Sequence, residues 1–161
     1  MALPISLVMA GSHGMIGAAV LSSRAALRAG SGKVTVNVPA CGYEIVQMSV
    51  PEALVNSDSS ETEITSLVSL DSYNAIAAGP GLGTGPGTAQ VLRSLLESVT
   101  CPLVLDADAL NILARNSSWL ALLPKRTILT PHPGEFKRLA GEWKDDEHRL
   151  RLLQQFATSL K

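Results

Sequence analysis

Short apolar runs rich in β-branched and small residues recur at Ile5–Met9, Lys33–Val38, Asn74–Ala78, Pro102–Leu105 and Thr127–Thr130, with longer helical patterns between them. A chain that alternates in this way buries its strands by laying the intervening helices over a parallel sheet. The expected class is therefore α/β, built of βαβ units. Gly17–Ala29 reads as a helix of small and apolar residues, with Gly30 placed to end it. Thr88–Val99, Asp108–Arg115 and Asp145–Leu160 read as further helices. Between Cys41 and Leu70 the pattern is less regular: Tyr43–Met48 and Glu61–Leu67 are each candidate helices, and Asn56–Ser60 reads as a polar loop.

The 161 residues, 46% hydrophobic and 17% charged, are enough for one domain with a sizeable core. No run approaches the ~18 apolar residues of a membrane span. Met1–Ala10 is apolar but has no basic lead and runs straight into a glycine turn, so it reads as a buried strand and not as a signal peptide. A cytoplasmic protein is the expectation. Cys41 and Cys101 form neither a zinc motif nor a disulfide framework; reduced thiols are expected, with a single bridge left open. The net charge of −1 and the lack of a basic cluster interleaved with aromatics argue against nucleic acid as partner. A small-molecule ligand is expected instead.

Thr127–Ala140 joins a short strand to an amphipathic helix through Thr130-Pro-His-Pro-Gly-Glu135. Pro131 and Pro133 bias the residues before them toward extended backbone, and Pro133 suits the first turn of a helix. His132 is thereby held extended at a strand-to-helix turn, where ligands of open α/β sheets collect. Glu135 falls in the first helical turn. It is either a charge that caps the helix or a carboxylate that orders metal or phosphate.

Two glycine clusters follow strands, Gly11-Ser-His-Gly-Met-Ile-Gly17 and Gly79-Pro-Gly-Leu-Gly-Thr-Gly-Pro-Gly87. Both allow close approach of backbone to a ligand, or serve only as tight turns. Neither satisfies the spacing G-x-G-x-x-G, and Gly30-Ser-Gly-Lys33 fails as a phosphate loop because its lysine leads into a strand. In Leu105-Asp-Ala-Asp-Ala-Leu-Asn111, Asp106 ends a strand facing a ligand or metal-bound water, Asp108 is expected to cap the next helix, and Asn111 lies one turn on.

Four segments together resemble the ADP/ATP-dependent NAD(P)H-hydrate dehydratases of the ribokinase-like superfamily: Ala10–Leu21 with Arg24–Gly32, Gly79–Gly83, Pro102–Asn111 and Leu129–Glu135. The resemblance implies a three-layer α/β/α fold with a mostly parallel sheet. It also implies repair of hydrated NADH or NADPH, by phosphorylation of the ring hydroxyl from ADP or ATP with Mg²⁺, followed by loss of phosphate. By motif position Ala18, Gly81, Gly83, Asp106 and His132 would contact the hydrated dinucleotide. Asn111 and Glu135 would serve nucleotide or phosphate, and Glu135 also the metal. Family members continue with a Lys-Gly segment and a Gly-Thr-Gly-Asp-type loop whose Asp acts as base. This sequence has neither, so no catalytic residue is assigned, and residues 1–161 are expected to be a partial domain, incomplete at its C-terminus. A homo-oligomer is expected by the same resemblance. Another ribokinase-like small-molecule kinase, or a non-catalytic dinucleotide-binding remnant or subunit, are the competing expectations.

Overall fold

A computed structural model describes residues 4–160. Met1–Leu3, the start of the apolar lead-in, and Lys161 lie outside the described residues. The strands are β1 (Ile5–Met9), β2 (Lys33–Val38), β3 (Leu54–Ser57), β4 (Ala75–Ala78), β5 (Leu103–Leu105) and β6 (Ile128–Leu129). The helices are α1 (Ile16–Arg28), α2 (Tyr43–Ser49), α3 (Pro86–Ser98), α4 (Ala107–Arg115), α5 (Pro133–Ala140) and α6 (Asp146–Ser159). All strand pairs are parallel and form one six-stranded sheet in the order β3-β2-β1-β4-β5-β6.

Alternation along β1 divides the core between the two faces of this sheet. Leu7 and Met9 join Ile76, Leu92, Leu95, Leu105, Ile112 and Leu113 on the face covered by α3 and α4. Val8 and Ala10 join Val34, Val36 and Val38 with Ile16, Ala19 and Val46 on the face covered by α1 and α2. The result is three layers. Burial on both faces explains why β1 reads as a nearly continuous apolar run, whereas in β2 the buried Val34, Val36 and Val38 alternate with Thr35 and Asn37, which are buried as well. Each fully buried Leu or Ile contributes on the order of 1.5–3 kcal/mol.

Three expectations in this region need correction. Part of the supposed polar loop Asn56–Ser60 belongs to β3, because this half-exposed edge strand takes its conformation from pairing with β2 and not from an apolar pattern. Glu61–Leu67 is not helical. The buried Asp58 carboxylate accepts the backbone N–H groups of Ser60, Thr65 and Ser66 and the hydroxyls of Thr65 and Ser66. Those side-chain bonds offer the backbone an alternative to a helix. Finally, Asp108 does not cap α4: Asp106 occupies the capping position, without a side-chain cap bond, and Asp108 lies in the first turn.

An apolar groove of about 880 Å³ lies between β6 and α6, lined by Leu129, Phe136, Leu153, Phe156 and Leu160 among others. It is separate from the polar crevice at the carboxyl ends of β1 and β4. No helix among the described residues is long and apolar enough to cross a membrane.

Candidate functional site

The sheet grows from β1 to β2 and β3 on one side, then from β4 to β5 and β6 on the other. Its topological switch point therefore lies between β1 and β4, where open α/β sheets leave a crevice for ligands. The two glycine clusters meet at this point. Gly11 N–H donates to the Pro80 carbonyl at 2.9 Å, and the Ser12 hydroxyl donates to the Gly81 carbonyl at 2.8 Å. Gly81 has φ +65°, and a Cβ there would lie 2.9 Å from the Ala18 Cβ. At Gly79, with φ +137°, an added Cβ would fall into the Asp106 carbonyl. Glycine is thus required both for the turn and for the close approach of three segments.

Beyond β5 the backbone makes an unusual move, with Ala107 at φ +46° between Asp106 and Asp108. Non-glycine residues in that region carry strain. Asp108 reaches the second glycine loop, where its Oδ2 accepts Gly83 N–H at 2.9 Å. Its Oδ1 accepts the Asn111 amide at 3.2 Å, and Asn111 Oδ1 accepts Arg138 Nε–H of α5 at 3.0 Å.

His132 sits at the N-cap of α5 in extended backbone, φ −69° and ψ 165°. Its Nδ1 accepts Gly134 N–H at 3.0 Å, while Glu135 Oε2 accepts His132 N–H at 3.0 Å. His132 Nε2 lies 3.2 Å from Glu135 Oε1. With Nδ1 accepting, the ring proton belongs on Nε2, facing the carboxylate. The His132 side chain is 63% exposed and that of Glu135 only 6%. Glu135 therefore caps the helix and orients an imidazole that is largely exposed.

This arrangement bears on the implied Mg²⁺. Both Glu135 oxygens are engaged by His132, and among the described residues no group of three or more His, Cys, Asp or Glu side chains could hold a metal together. The donor set does not fit a protein cage for the ion, which fits a metal carried on the nucleotide phosphates.

The helix N-termini differ in a way that matters for anions. Asp108 and Glu135 lie in the first turns of α4 and α5, and Glu44 in that of α2. Asp145 caps α6. At α3 the Glu63 carboxylate lies against Gly85 and Gly87 and accepts the Thr88 hydroxyl at 3.0 Å. The N-terminus of α1 has neither a side-chain cap nor an acidic first-turn residue. It opens directly beneath the first glycine cluster, so it alone among the described helices keeps its positive end free of a carboxylate.

Ala18, Gly81, Gly83, Asp106, Asp108 and Asn111 are thus gathered around the ends of β1, β4 and β5. His132 and Glu135 stand at the end of β6 and touch none of these directly; Thr130 N–H bonded to the Leu105 carbonyl at 3.1 Å and the Arg138–Asn111 bond connect the two groups. Ser12 and Arg138 join the site only through the fold. A hydroxyl between glycines was a faint signal for Ser12, and Arg138 had none, since its partner lies 27 positions away. The thiols of Cys41 and Cys101 are free, and burial pushes that of Cys101 upward.

A family model described as NAD(P)H-hydrate dehydratase matches residues 6–161. The bifunctional NAD(P)H-hydrate repair enzyme of Moorella thermoacetica is 38% identical over 94% of this chain, which spans 30% of that protein. The ADP-dependent (S)-NAD(P)H-hydrate dehydratase of Neisseria meningitidis is 40% identical over 83% of the chain and 45% of the relative. A crystal structure of the ADP/ATP-dependent dehydratase of Bacillus subtilis, co-crystallised with ATP/Mg²⁺, superimposes with a TM-score of 0.74 at 30% identity. It covers 97% of this chain and 55% of its own. A ribokinase-like protein of Enterococcus faecalis, 21% identical with a TM-score of 0.78, shares the fold. The chain therefore spans about half or less of the length of the relatives it matches.

Proposed function

The chain belongs to the NAD(P)H-hydrate dehydratase family, and from that premise we propose that it carries the dinucleotide-binding part of an enzyme that returns hydrated NADH or NADPH to the normal cofactor. The observation that carries this reading is the N-terminus of α1, free of carboxylates, at the switch point where Gly11–Met15 meets Gly79–Gly83. A dinucleotide presents a pyrophosphate, and a helix end free of carboxylates, reached over glycines, receives such a group well.

In this reading the amides that precede Ala18 in the first turn of α1 donate to phosphate oxygens, Ala18 itself lies against the ligand, and Gly81 and Gly83 let the backbone approach the ligand without side chains. Asp106, whose carboxylate caps no backbone N–H, faces the ligand at the end of β5. His132 offers its exposed imidazole to the same ligand, held by Gly134 N–H and Glu135. Asn111 and Glu135 act at the phosphates through the groups they hold, Asp108 and His132. ADP or ATP, brought with Mg²⁺, supplies the phosphoryl group for the ring hydroxyl, and its loss as phosphate restores the double bond. The ligands proposed are small molecules, the hydrated cofactor and the nucleotide, and the site of action is the cytoplasm.

The test is to supply hydrated NADPH, with ADP or ATP, to the protein that carries this segment together with the rest of the family's length. Return of the reduced nicotinamide absorbance is expected. No return with either nucleotide by a folded protein overturns the reading, and phosphorylation of a free alcohol without dehydration would place the protein among the ribokinase-like kinases.

A further inference from the structure

We propose that Arg138 is a positioning residue for the dinucleotide site, fixing the shape of the Gly79–Gly83 loop from α5 through Asn111 and Asp108. The proposal rests on the dinucleotide reading above for its effect on binding, and on geometry alone for its effect on the loop.

A basic residue in the last turn of an exposed helix ordinarily complements the helix dipole and nothing more. Arg138 does something additional, because its Nε–H donates to Asn111 Oδ1 at 3.0 Å. That bond decides which way the Asn111 amide faces. A primary amide has an acceptor end and a donor end. With the acceptor end held by the guanidinium, the donor end must face Asp108 Oδ1, as it does at 3.2 Å. Asp108 is then held by Asn111 on one oxygen, while the other accepts Gly83 N–H at 2.9 Å. Removal of Arg138 leaves Asn111 held by Asp108 alone, so the amide swings more freely, Asp108 Oδ1 loses a fixed donor and the Gly83 amide a fixed acceptor.

The same guanidinium touches the His132 turn. A Cβ on Gly134 would lie 3.9 Å from an Arg138 terminal nitrogen and 2.9 Å from His132 Cε1. Arg138 is thus adjacent to both halves of a site whose members do not otherwise meet: His132 on β6–α5 and Gly83 on β4–α3. Charged neighbours on the elements packed here are Lys137 and Glu142, which pair with one another at 2.8 Å, and the buried Glu135, which is engaged by His132. None of these competes for the Asn111 oxygen.

The experiment compares the wild-type chain with Arg138→Met, Arg138→Lys and Asp108→Asn, alone and with Arg138→Met combined. The first readout is the Gly83 amide, followed by nuclear magnetic resonance as hydrogen-exchange rate and chemical shift in the ligand-free chain. The second is the dissociation constant for NADPH by calorimetry. Arg138→Met is expected to accelerate Gly83 exchange selectively and to weaken NADPH binding about fivefold, the worth of one hydrogen bond. Arg138→Lys, which keeps a donor, recovers part of both. The double variant is expected to lose little beyond Asp108→Asn, because the two residues act along one path. An unchanged Gly83 amide in Arg138→Met, or strictly additive losses in the double variant, overturns the proposal. If wild-type chain binds no NADPH, the dinucleotide reading fails instead, and the Gly83 amide still decides the role of Arg138.

Discussion

Asp108 holds the backbone N–H of Gly83 at 2.9 Å across 25 positions of sequence, joining the start of α4 to the glycine loop after β4. The strained Ala107, at φ +46°, is what turns Asp108 out of the capping position and toward that loop. Asp108→Ala should leave the Gly83 amide without its acceptor and let the loop wander. NADPH binding should weaken about tenfold, as expected for loss of a hydrogen bond to a charged group, with a thermal midpoint only slightly lowered. Calorimetric titration beside a melting curve separates the two effects.

The contact between Gly81 and Ala18 makes a compensation experiment possible. Gly81→Ala adds a methyl group 2.9 Å from the Ala18 Cβ and 3.0 Å from the Met15 carbonyl, in backbone at φ +65°. It should cost about 1–3 kcal/mol by overpacking and strain. Ala18→Gly alone should cost up to about 1 kcal/mol through helix propensity. Combined with Gly81→Ala it should cost less than the sum, because the methyl clash is relieved. Chemical denaturation of the three variants measures the difference.

His132 has two jobs that substitution can separate. Its Nδ1 caps α5 by accepting Gly134 N–H, and its exposed ring is offered to ligand. Serine is a good N-cap residue without an imidazole. His132→Ser should therefore preserve stability to within about 0.5 kcal/mol, whereas His132→Ala should lose about 1 kcal/mol. Both should lose NADPH affinity. Equal affinity of His132→Ser and wild type would confine His132 to the cap.

Asp58 gives the fold an acid-sensitive anchor. Burial pushes its carboxyl upward, but bonds from Ser60, Thr65 and Ser66 outweigh burial and hold it well below the usual carboxylate range. A group whose value is depressed on folding contributes its full stability above its unfolded value, near pH 4, and loses it as pH falls toward the folded value. Asp58→Asn should lower stability at neutral pH by about 2–3 kcal/mol. It should also flatten the decline below about pH 4 relative to wild type. Denaturant titrations at neutral and acidic pH read both effects.

Much of this architecture is legible in the sequence where physics acts locally. β1 announces itself because nearly every residue is apolar, and β2 through the alternation of Val34, Val36 and Val38. The Pro-His-Pro-Gly-Glu turn predicts its own cap, since prolines fix backbone irrespective of partners. The failures lie where distant groups decide. Leu54–Ser57 is a strand only because β2 pairs with it, and Glu61–Leu67 loses its helical character to the single carboxylate of Asp58. Asp108 looks like an ordinary cap until Ala107 adopts positive φ. Nothing near Arg138 in sequence names Asn111 as its partner.

A dinucleotide held at the carboxyl ends of β1 and β4 should be detectable as binding to the chain by itself. The most direct measurement is calorimetric titration of the chain with NADPH, after circular dichroism has established that it is folded. Saturable binding is expected, with a dissociation constant on the order of micromolar, that weakens in His132→Ser and Asp108→Ala. A folded chain that takes up no NADPH, or binds it equally well in both variants, would contradict it.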